Sequence, residues 1–186
     1  MLYIAAALSF LIGSIPFAVI LVRGSGIDVR KIGSGNPGFV NSVRAVGIRR
    51  ALPVLVADIG KGWCAAYLAL VLGGGWWVAL LAVAGHCFSP WLHFKGGKGV
   101  ATFIGVALFA SPLVGAVSIL AWLFVFGLFR IASLASFVCI ICILTGIWWL
   151  MPTAVAAFAA AALLIILRHP KNISRLIRGT ELGITF

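Results

Sequence analysis

Long apolar blocks separated by short polar islands run the length of the chain. A helix needs about 20 apolar residues to cross a bilayer, and seven blocks come near that length. Glycine and proline at Gly13–Pro16 predict a kink in the first block. The first three predicted spans are residues 2–22, about 51–72, and 76 to about 92. The fourth begins with the segment 94–102 and ends near 111. The last three are 113–129, 134–150, and a span that follows residues 151–152 and ends at 168. The pattern predicts an all-α, polytopic membrane protein with seven transmembrane helices in a single domain over 1–186.

Composition and charge support this interpretation. Of the 186 residues, 63% are hydrophobic and 9% are charged, which is not typical of a soluble globular protein. The net charge is +11, but the basic residues lie in short islands between apolar blocks. This favours an anionic membrane surface or an anionic substrate over nucleic acid. The first 22 residues lack a basic leader region and a small-residue cleavage site, so we interpret them as a retained span.

The basic residues also predict an orientation. Those between Arg23 and Arg50, Lys95 with Lys98, Arg130, and the bases of the tail all fall on one side of the predicted bundle. The turns on the opposite side carry none. Because cytoplasmic loops are enriched in lysine and arginine, the charged side is expected to be cytoplasmic, with the N-terminus outside and the C-terminus inside.

The pattern of cysteines and carboxylates does not indicate a metal site, and we expect neither a metal nor a cofactor. Cys139 and Cys142 are three apart but have no histidine or carboxylate with them, so we interpret the cysteines as small buried hydrophobes. The three carboxylates of the chain are too few and too scattered for a magnesium site. Asp58 and Lys61 lie three apart within a predicted span and are interpreted as a structural pair.

The most polar stretch is the loop 33–44, GSGNPGFVNSVR. Its glycines and proline oppose a regular helix through the first half. In so apolar a chain, the polar groups of such a loop must be satisfied by water, a lipid headgroup or a substrate. The candidate substrate-binding and catalytic residues of this loop are Gly33, Ser34, Gly35, Asn36, Asn41 and Arg44.

A second polar segment, FKGGKGVAT at 94–102, lies between the third and fourth predicted spans. Residues 76–110 are fewer than the roughly 40 that two crossings need, so the segment is expected to be a half-buried loop. Glycines let backbone N–H groups approach an anion, and the helix that follows presents further N–H groups. The candidate residues are Lys95, Gly96, Gly97, Lys98 and Gly99. A glycine-rich turn with lysines at the headgroups explains the composition equally well.

The tail predicts a short cytoplasmic helix framed by Pro170 and Gly179. It is amphipathic, as expected of a helix lying at a membrane interface. His169 and Asn172 are three apart and could face one site. The alternative is a basic tail that lies on anionic lipid.

Seven motifs in chain order resemble a known family. They are GSIPF at 13–17, GSGNPGxxNxxR at 33–44, DxxKG at 58–62, GHxF at 85–88, FKGGKGVAT at 94–102, RxxSL at 130–134, and HxxNIxRLxxGTE at 169–181. Together they cover the whole chain and are similar to those of the bacterial PlsY family, the acyl-phosphate:glycerol-3-phosphate acyltransferases. One departure is Phe39–Val40, where the family usually has Ala-Thr, so the resemblance implies that a hydroxyl near the acceptor pocket is missing here.

The resemblance implies a multi-pass enzyme of the bacterial inner membrane. Such an enzyme moves a fatty acyl group from acyl phosphate to glycerol 3-phosphate, and its partners are these substrates and membrane lipid. By the resemblance, residues 94–102, called the glycine segment below, hold glycerol phosphate together with Lys98. Ser34 and Arg44 belong to the motif at 33–44. His169 and Asn172 contribute to activity, Arg130 and Ser133 match pocket positions, and Glu181 maintains the tail.

The mechanism expected on chemical grounds is direct transfer, because acyl phosphate is already activated. Arginine and lysine side chains with glycine N–H groups would neutralise two phosphates that otherwise repel each other. The proton acceptor is left open between His169 and the substrate's own phosphate, with a preference for the phosphate. A small-anion transporter or channel, or a lipid-binding protein without activity, are the alternative function classes.

Overall fold

The computed structural model describes residues 1–183, and within this range all regular secondary structure is helical. The predicted single domain extends to residue 186, and 184–186 lie outside the described residues. The α-helices are α1 (Leu2–Ser14), α2 (Phe17–Arg23), α3 (Phe39–Val46), α4 (Ile48–Val71), α5 (Gly75–Ala79), α6 (Leu81–Cys87), α7 (Val100–Ala110), α8 (Pro112–Phe129), α9 (Ala132–Leu150), α10 (Val155–Leu167) and α11 (Pro170–Ile177). Short 3₁₀ turns occur at Val29–Lys31, Pro90–Leu92 and Pro152–Ala154.

The all-helical prediction is confirmed, and each predicted span contains helix. Of the described residues, four stretches are long and apolar enough to cross a membrane: Leu2–Arg23, Ile48–Val71, Pro112–Phe129 and Ala132–Leu150. A fifth candidate, Pro152–Leu167 with Pro170–Ile177, is bent by 67°. The third predicted span is divided into α5 and α6, and the fourth is the short helix α7. The count of seven spans therefore stays a prediction.

Glycines bring two pairs of helices into backbone contact. Gly13 lies against the carbonyl oxygen of Ala82 and Gly85 lies against that of Phe10, which joins α1 to α6. Gly62 and Gly105 join α4 to α7 in the same way, against the carbonyl oxygens of Thr102 and Ile59. A Cβ atom at any of these glycines would overlap the facing oxygen, so no larger residue fits without separating the helices.

Asp58 and Lys61 form a buried ion pair on α4, with Lys61 Nζ 2.7 Å from Asp58 Oδ1. Lys61 also donates to the carbonyl oxygen of Ile15 at 2.8 Å, in the break between α1 and α2. His86 Nδ1 lies 3.6 Å from Asp58 Oδ1. The pair thus contacts three elements of the bundle, and the structural role of Asp58 and Lys61 stays a prediction.

The glycine segment lies between α6 and α7 and is largely buried. The N–H groups of Gly96 and Gly97 donate to the carbonyl oxygens of Cys87 and His86 at 3.2 and 3.0 Å. Gly99 adopts φ +93°, a conformation that glycine favours, and begins α7 as its N-cap. Lys95 is exposed and Lys98 is half-buried.

Candidate active site

A cavity of about 410 Å³ lies where the loop 33–44, the glycine segment and the tail meet. One part of its wall is polar: Ser34, Asn36, Asn41, Arg44, Lys98, Arg130, Ser133, Ser136, His169, Asn172, Arg175 and Glu181. Another part is apolar: Ile48, Leu52, Leu55, Ile59, Ile104, Ile119, Trp122, Leu123 and Phe126. Asp58 and His86 also line it. The two kinds of wall suit a ligand that has a charged head and an apolar tail.

A hydrogen-bonded chain crosses the polar part. Lys98 Nζ donates to Asn172 Oδ1 at 2.7 Å, and Asn172 Nδ2 donates to Glu181 Oε1. Ser133 Oγ donates to the same carboxylate oxygen at 3.0 Å, and Arg175 Nε donates to Oε2 at 2.8 Å. Burial lowers the pKa of Lys98 to about 8, although Glu181 acts in the opposite direction. Lys98 is therefore mainly protonated at neutral pH and loses its proton as the pH rises through about 8.

His169 is buried at the junction of α10 and α11. Its Nδ1 lies 2.7 Å from the carbonyl oxygen of Ile165. A carbonyl oxygen can only accept, so Nδ1 carries the proton and Nε2 keeps its lone pair. Burial, together with the positive charge of Lys98, lowers the pKa of His169 to about 4. The imidazole is therefore neutral at pH 7.

Asn41 organises the loop 33–44 from within. Its side-chain amide donates to the carbonyl oxygens of Val29 and Ile32 at 2.8 and 2.9 Å and accepts from the N–H of Ser34 at 3.1 Å. Gly33 lies so close that a Cβ atom there would be 2.6 Å from Asn41 Oδ1. These contacts fix Ser34 in the cavity wall and leave Asn41 mainly a positioning group.

Arg44 connects this loop to the tail. Its Nη2 donates to the carbonyl oxygen of Leu182 at 3.2 Å, which holds residues 181–182 beside the cavity. Burial lowers the pKa of Arg44, but a guanidinium remains charged near neutral pH. Arg44 therefore contributes a cation to the polar wall.

The cavity brings together most of the residues predicted from sequence. Those that line it are Ser34, Asn36, Asn41, Arg44, Lys98, Gly99, Arg130, Ser133, His169, Asn172 and Glu181, with Asp58. This arrangement joins the loop, the glycine segment, the start of α9 and the tail, as the sequence analysis anticipated.

Five predicted substrate-binding residues lie outside the described wall of the cavity: Gly33, Gly35, Lys95, Gly96 and Gly97. Gly33 and Gly35 have φ of +52° and +71° and shape the loop. Lys95 is exposed. The N–H groups of Gly96 and Gly97 already donate hydrogen bonds to carbonyl oxygens at the end of α6, so they are not available to bind an anion. Free donors at this segment are instead expected in the first turn of α7, where Val100 and Ala101 line the cavity.

Two basic residues of the tail have contacts that the sequence analysis missed. Arg175 binds Glu181 and lines the cavity, although the sequence analysis assigns it no role in the site. Its spacing of three from Asn172 was the available signal, because residues three apart share a helix face. Arg168 donates to carbonyl oxygens of the glycine segment, and no local pattern predicts that contact.

Known proteins are similar to this chain over nearly its full length. The family model described as glycerol-3-phosphate acyltransferase matches residues 3–179. A glycerol-3-phosphate acyltransferase of Rhodospirillum rubrum is 42% identical, with 96% of this chain and 88% of the relative covered. One of Methylobacillus flagellatus is 39% identical, with 94% and 93% covered.

Two crystal structures of PlsY, an integral membrane glycerol 3-phosphate acyltransferase, share the fold. The glycerol 3-phosphate form has a TM-score of 0.91 at 34% identity and covers 98% of this chain and 95% of its own. The lysophosphatidic acid form has a TM-score of 0.89 at the same identity. The chain therefore belongs to the PlsY family of glycerol-3-phosphate acyltransferases.

Proposed function

We propose that this protein transfers a fatty acyl group from an acyl phosphate to glycerol 3-phosphate, with lysophosphatidic acid and phosphate as products. The observation that carries the proposal is the cavity with a cationic wall and an apolar wall. The relatives are named glycerol-3-phosphate acyltransferases, and the PlsY structures have a glycerol 3-phosphate form and a lysophosphatidic acid form, which supports the acceptor and the product. The acyl-phosphate donor is inferred from the chemistry below.

The cationic wall suits the acceptor phosphate. Arg44, Lys98, Arg130 and Arg175 line the cavity and outnumber its two carboxylates, Glu181 and Asp58. Lys61 already pairs with Asp58. A phosphate dianion would therefore meet excess positive charge. The first-turn N–H groups of α7 add donors at the positive end of a helix dipole.

The apolar wall suits a fatty acyl chain. Side chains of α4, α7 and α8 form it, including Leu55, Ile104 and Ile119. Leu52 and Leu123 line the cavity and yet are 46% and 54% exposed, so the cavity opens between α4 and α8. In a membrane this opening would admit an acyl chain from the lipid side.

Direct transfer needs no enzyme nucleophile. The primary hydroxyl of glycerol 3-phosphate attacks the acyl carbonyl carbon, a C–O ester bond forms, and the bond between the acyl carbon and the phosphate oxygen breaks. Holding two reactants in line can lower a barrier by about 7–11 kcal/mol in favourable cases. Each preorganised donor at the oxyanion adds about 3–4 kcal/mol.

We assign the hydroxyl proton to the leaving phosphate rather than to His169. A base with a pKa of about 4 is a weak proton acceptor at pH 7. The phosphate that leaves is a stronger base than that imidazole, since even a phosphate monoester has a second pKa of about 6. His169, with Nδ1–H fixed on Ile165, would instead accept a hydrogen bond from the acceptor through Nε2 and orient it.

The polar wall is also proposed to face the cytoplasm. The apolar blocks predict seven spans, and the distribution of lysine and arginine predicts an outer N-terminus and an inner C-terminus. This arrangement would place all three cavity-forming segments on the side where glycerol 3-phosphate is dissolved. The expected location is the bacterial inner membrane.

Purified protein with palmitoyl phosphate and radiolabelled glycerol 3-phosphate tests the function. The expected result is a labelled lysolipid together with released phosphate, in equal amounts. Lys98→Ala and Arg44→Ala should lose most of this activity, while Lys171→Ala, on the exposed face of α11, should retain it. Uptake of label into proteoliposomes without ester formation would contradict the proposal and indicate an anion transporter.

A further inference from the structure

We infer that Arg168 is a positioning residue, which holds the glycine segment so that Lys98 keeps its place in the cavity while it exchanges its partner for the acceptor phosphate. This inference rests on the function proposed above. It concerns a residue outside the described wall of the cavity, so Arg168 would act through its neighbours.

The guanidinium of Arg168 binds two consecutive peptide groups. Its Nη2 donates to the carbonyl oxygen of Gly96 at 3.1 Å, and its Nε donates to that of Gly97 at 3.4 Å. The N–H groups of the same two glycines donate to the end of α6. The segment is therefore held on both sides, by α6 through its N–H groups and by Arg168 through its carbonyl groups.

The guanidinium itself has a fixed place. Its Cζ lies 5.3 Å from the centre of the Phe88 ring, at the C-terminal end of α6. The planar fork of arginine can stack on a ring and donate two bonds at the same time, which a lysine cannot do. Arg168 therefore joins α6, the glycine segment and the end of α10.

Two links connect the glycine segment to the junction of α10 and α11. One is the side-chain bond from Lys98 to Asn172. The other is the bond from Arg168 to the backbone. When Lys98 turns from Asn172 to a substrate phosphate the first link opens, and the second keeps Lys98 close to His169, the residue that follows Arg168.

The test compares Arg168→Ala and Arg168→Lys with wild type and with the surface control Lys171→Ala. For Arg168→Ala, the KM for glycerol 3-phosphate should rise by about tenfold, as expected for loss of charged hydrogen bonds. The KM for palmitoyl phosphate should change by less than about twofold, because the apolar wall is untouched. Arg168→Lys should recover part of the loss.

Hydrogen exchange in detergent provides a readout that does not depend on turnover. The N–H groups of Gly96 and Gly97 should exchange faster in Arg168→Ala than in wild type, while those within α4 should not change. If Gly96 and Gly97 of Arg168→Ala exchange at the same rate as in wild type, the inference is overturned. An equal rise of both KM values with a lowered unfolding temperature would also overturn it, because that result indicates a general structural role.

The outcomes separate the two proposals. If wild type makes no lysolipid, the proposed function fails, and hydrogen exchange still tests the hold of Arg168 on the segment. If wild type is active and Arg168→Ala keeps its KM for glycerol 3-phosphate, only the inference fails. If Arg168→Ala does not fold, Arg168→Lys carries the test, since it keeps the charge and loses the fork.

Discussion

Lys98 Nζ donates to Asn172 Oδ1 at 2.7 Å, which joins the glycine segment to α11 across 74 residues of sequence. The same asparagine donates to Glu181, so the cation and the carboxylate are linked through one amide. A phosphate that takes the place of Asn172 on Lys98 displaces a neutral amide oxygen rather than a carboxylate. This exchange leaves the bonds of Glu181 to Ser133 and Arg175 in place.

The charge of Lys98 should set the alkaline limit of activity. Its pKa lies at about 8, so the ammonium is present below that pH and is lost as the pH rises through it. We expect the KM for glycerol 3-phosphate to increase above about pH 8, since the phosphate loses a charged donor. Initial rates between pH 6.5 and pH 9.5, at about saturating acyl phosphate, measure this limit.

Lys98→Arg is the matched control for this limit. Arginine stays charged over the whole range, so the variant should lose the alkaline rise in KM, even if its activity is lower. Lys98→Ala should lower kcat/KM by about 10-fold to 150-fold, the value of one hydrogen bond to a charged group. An alkaline limb that is unchanged in Lys98→Arg would assign it to another group.

Protonation of His169 should not lower kcat near pH 6.5, the ordinary pKa of histidine. Burial lowers that pKa to about 4, so the imidazole stays neutral from pH 7 down to near that value and gains a proton only below it. At saturating substrates, kcat of wild type and of His169→Gln should therefore depend on pH in the same way above about pH 5. A fall near pH 6.5 that His169→Gln abolishes would instead make His169 the proton acceptor.

Glu181 should hold the tail against the bundle. Burial alone would raise its pKa, but hydrogen bonds from Arg175, Asn172 and Ser133 outweigh burial and hold the pKa below its ordinary value of 4.5. Its stabilising contribution is therefore complete at neutral pH and is lost only as the pH falls through the lowered pKa. At pH 7, Glu181→Ala should speed proteolytic cleavage after residue 178 and reduce activity.

Glu181→Gln separates shape from charge in that experiment. The amide can still accept from Ser133 or Asn172, but the ion pair with Arg175 is lost. Cleavage should be slower than in Glu181→Ala and faster than in wild type. Equal cleavage of all three proteins would show that Glu181 does not anchor the tail.

Gly62→Ala should destabilise the bundle, because the added Cβ overlaps the carbonyl oxygen of Thr102. The expected loss is about 1–3 kcal/mol, as for other overpacked contacts. Gly60→Ala, two residues away on α4, meets open space and should be neutral or stabilising by about 0.5–1 kcal/mol. Unfolding of the two variants in one detergent measures the difference. Equal stabilities would contradict the close contact of α4 with α7.

The helices were predictable because apolar blocks and their breaks are local signals. Pro16 and the glycines at 73–75 mark ends of helices, and the structure has ends at both places. The resemblance to the PlsY family assigns Lys98, His169 and Asn172 to the site, and they share one cavity. The break between α5 and α6 falls within an apolar run, where no glycine or proline marks it.

The contacts of the glycine segment could not be predicted in the same way. Glycine N–H groups at the start of a helix suggest an anion site, but their partners depend on what packs beside them. Here the N–H groups of Gly96 and Gly97 donate to carbonyl oxygens at the end of α6, and Arg168 donates to the carbonyl oxygens of the same glycines. These contacts arise from the packing of α6, α7 and α10, which no spacing along the chain encodes.

The close glycine contacts also divide the molecule by its capacity to adapt. Where α1 meets α6 and α4 meets α7, backbone touches backbone, and neither partner can change rotamer to make room. Where α9 meets α8, the atoms nearest to a Cβ at Gly146 belong instead to the side chain of Val114. Any widening of the cavity for a bulkier guest should therefore begin at the contact of α9 with α8 rather than at either backbone contact.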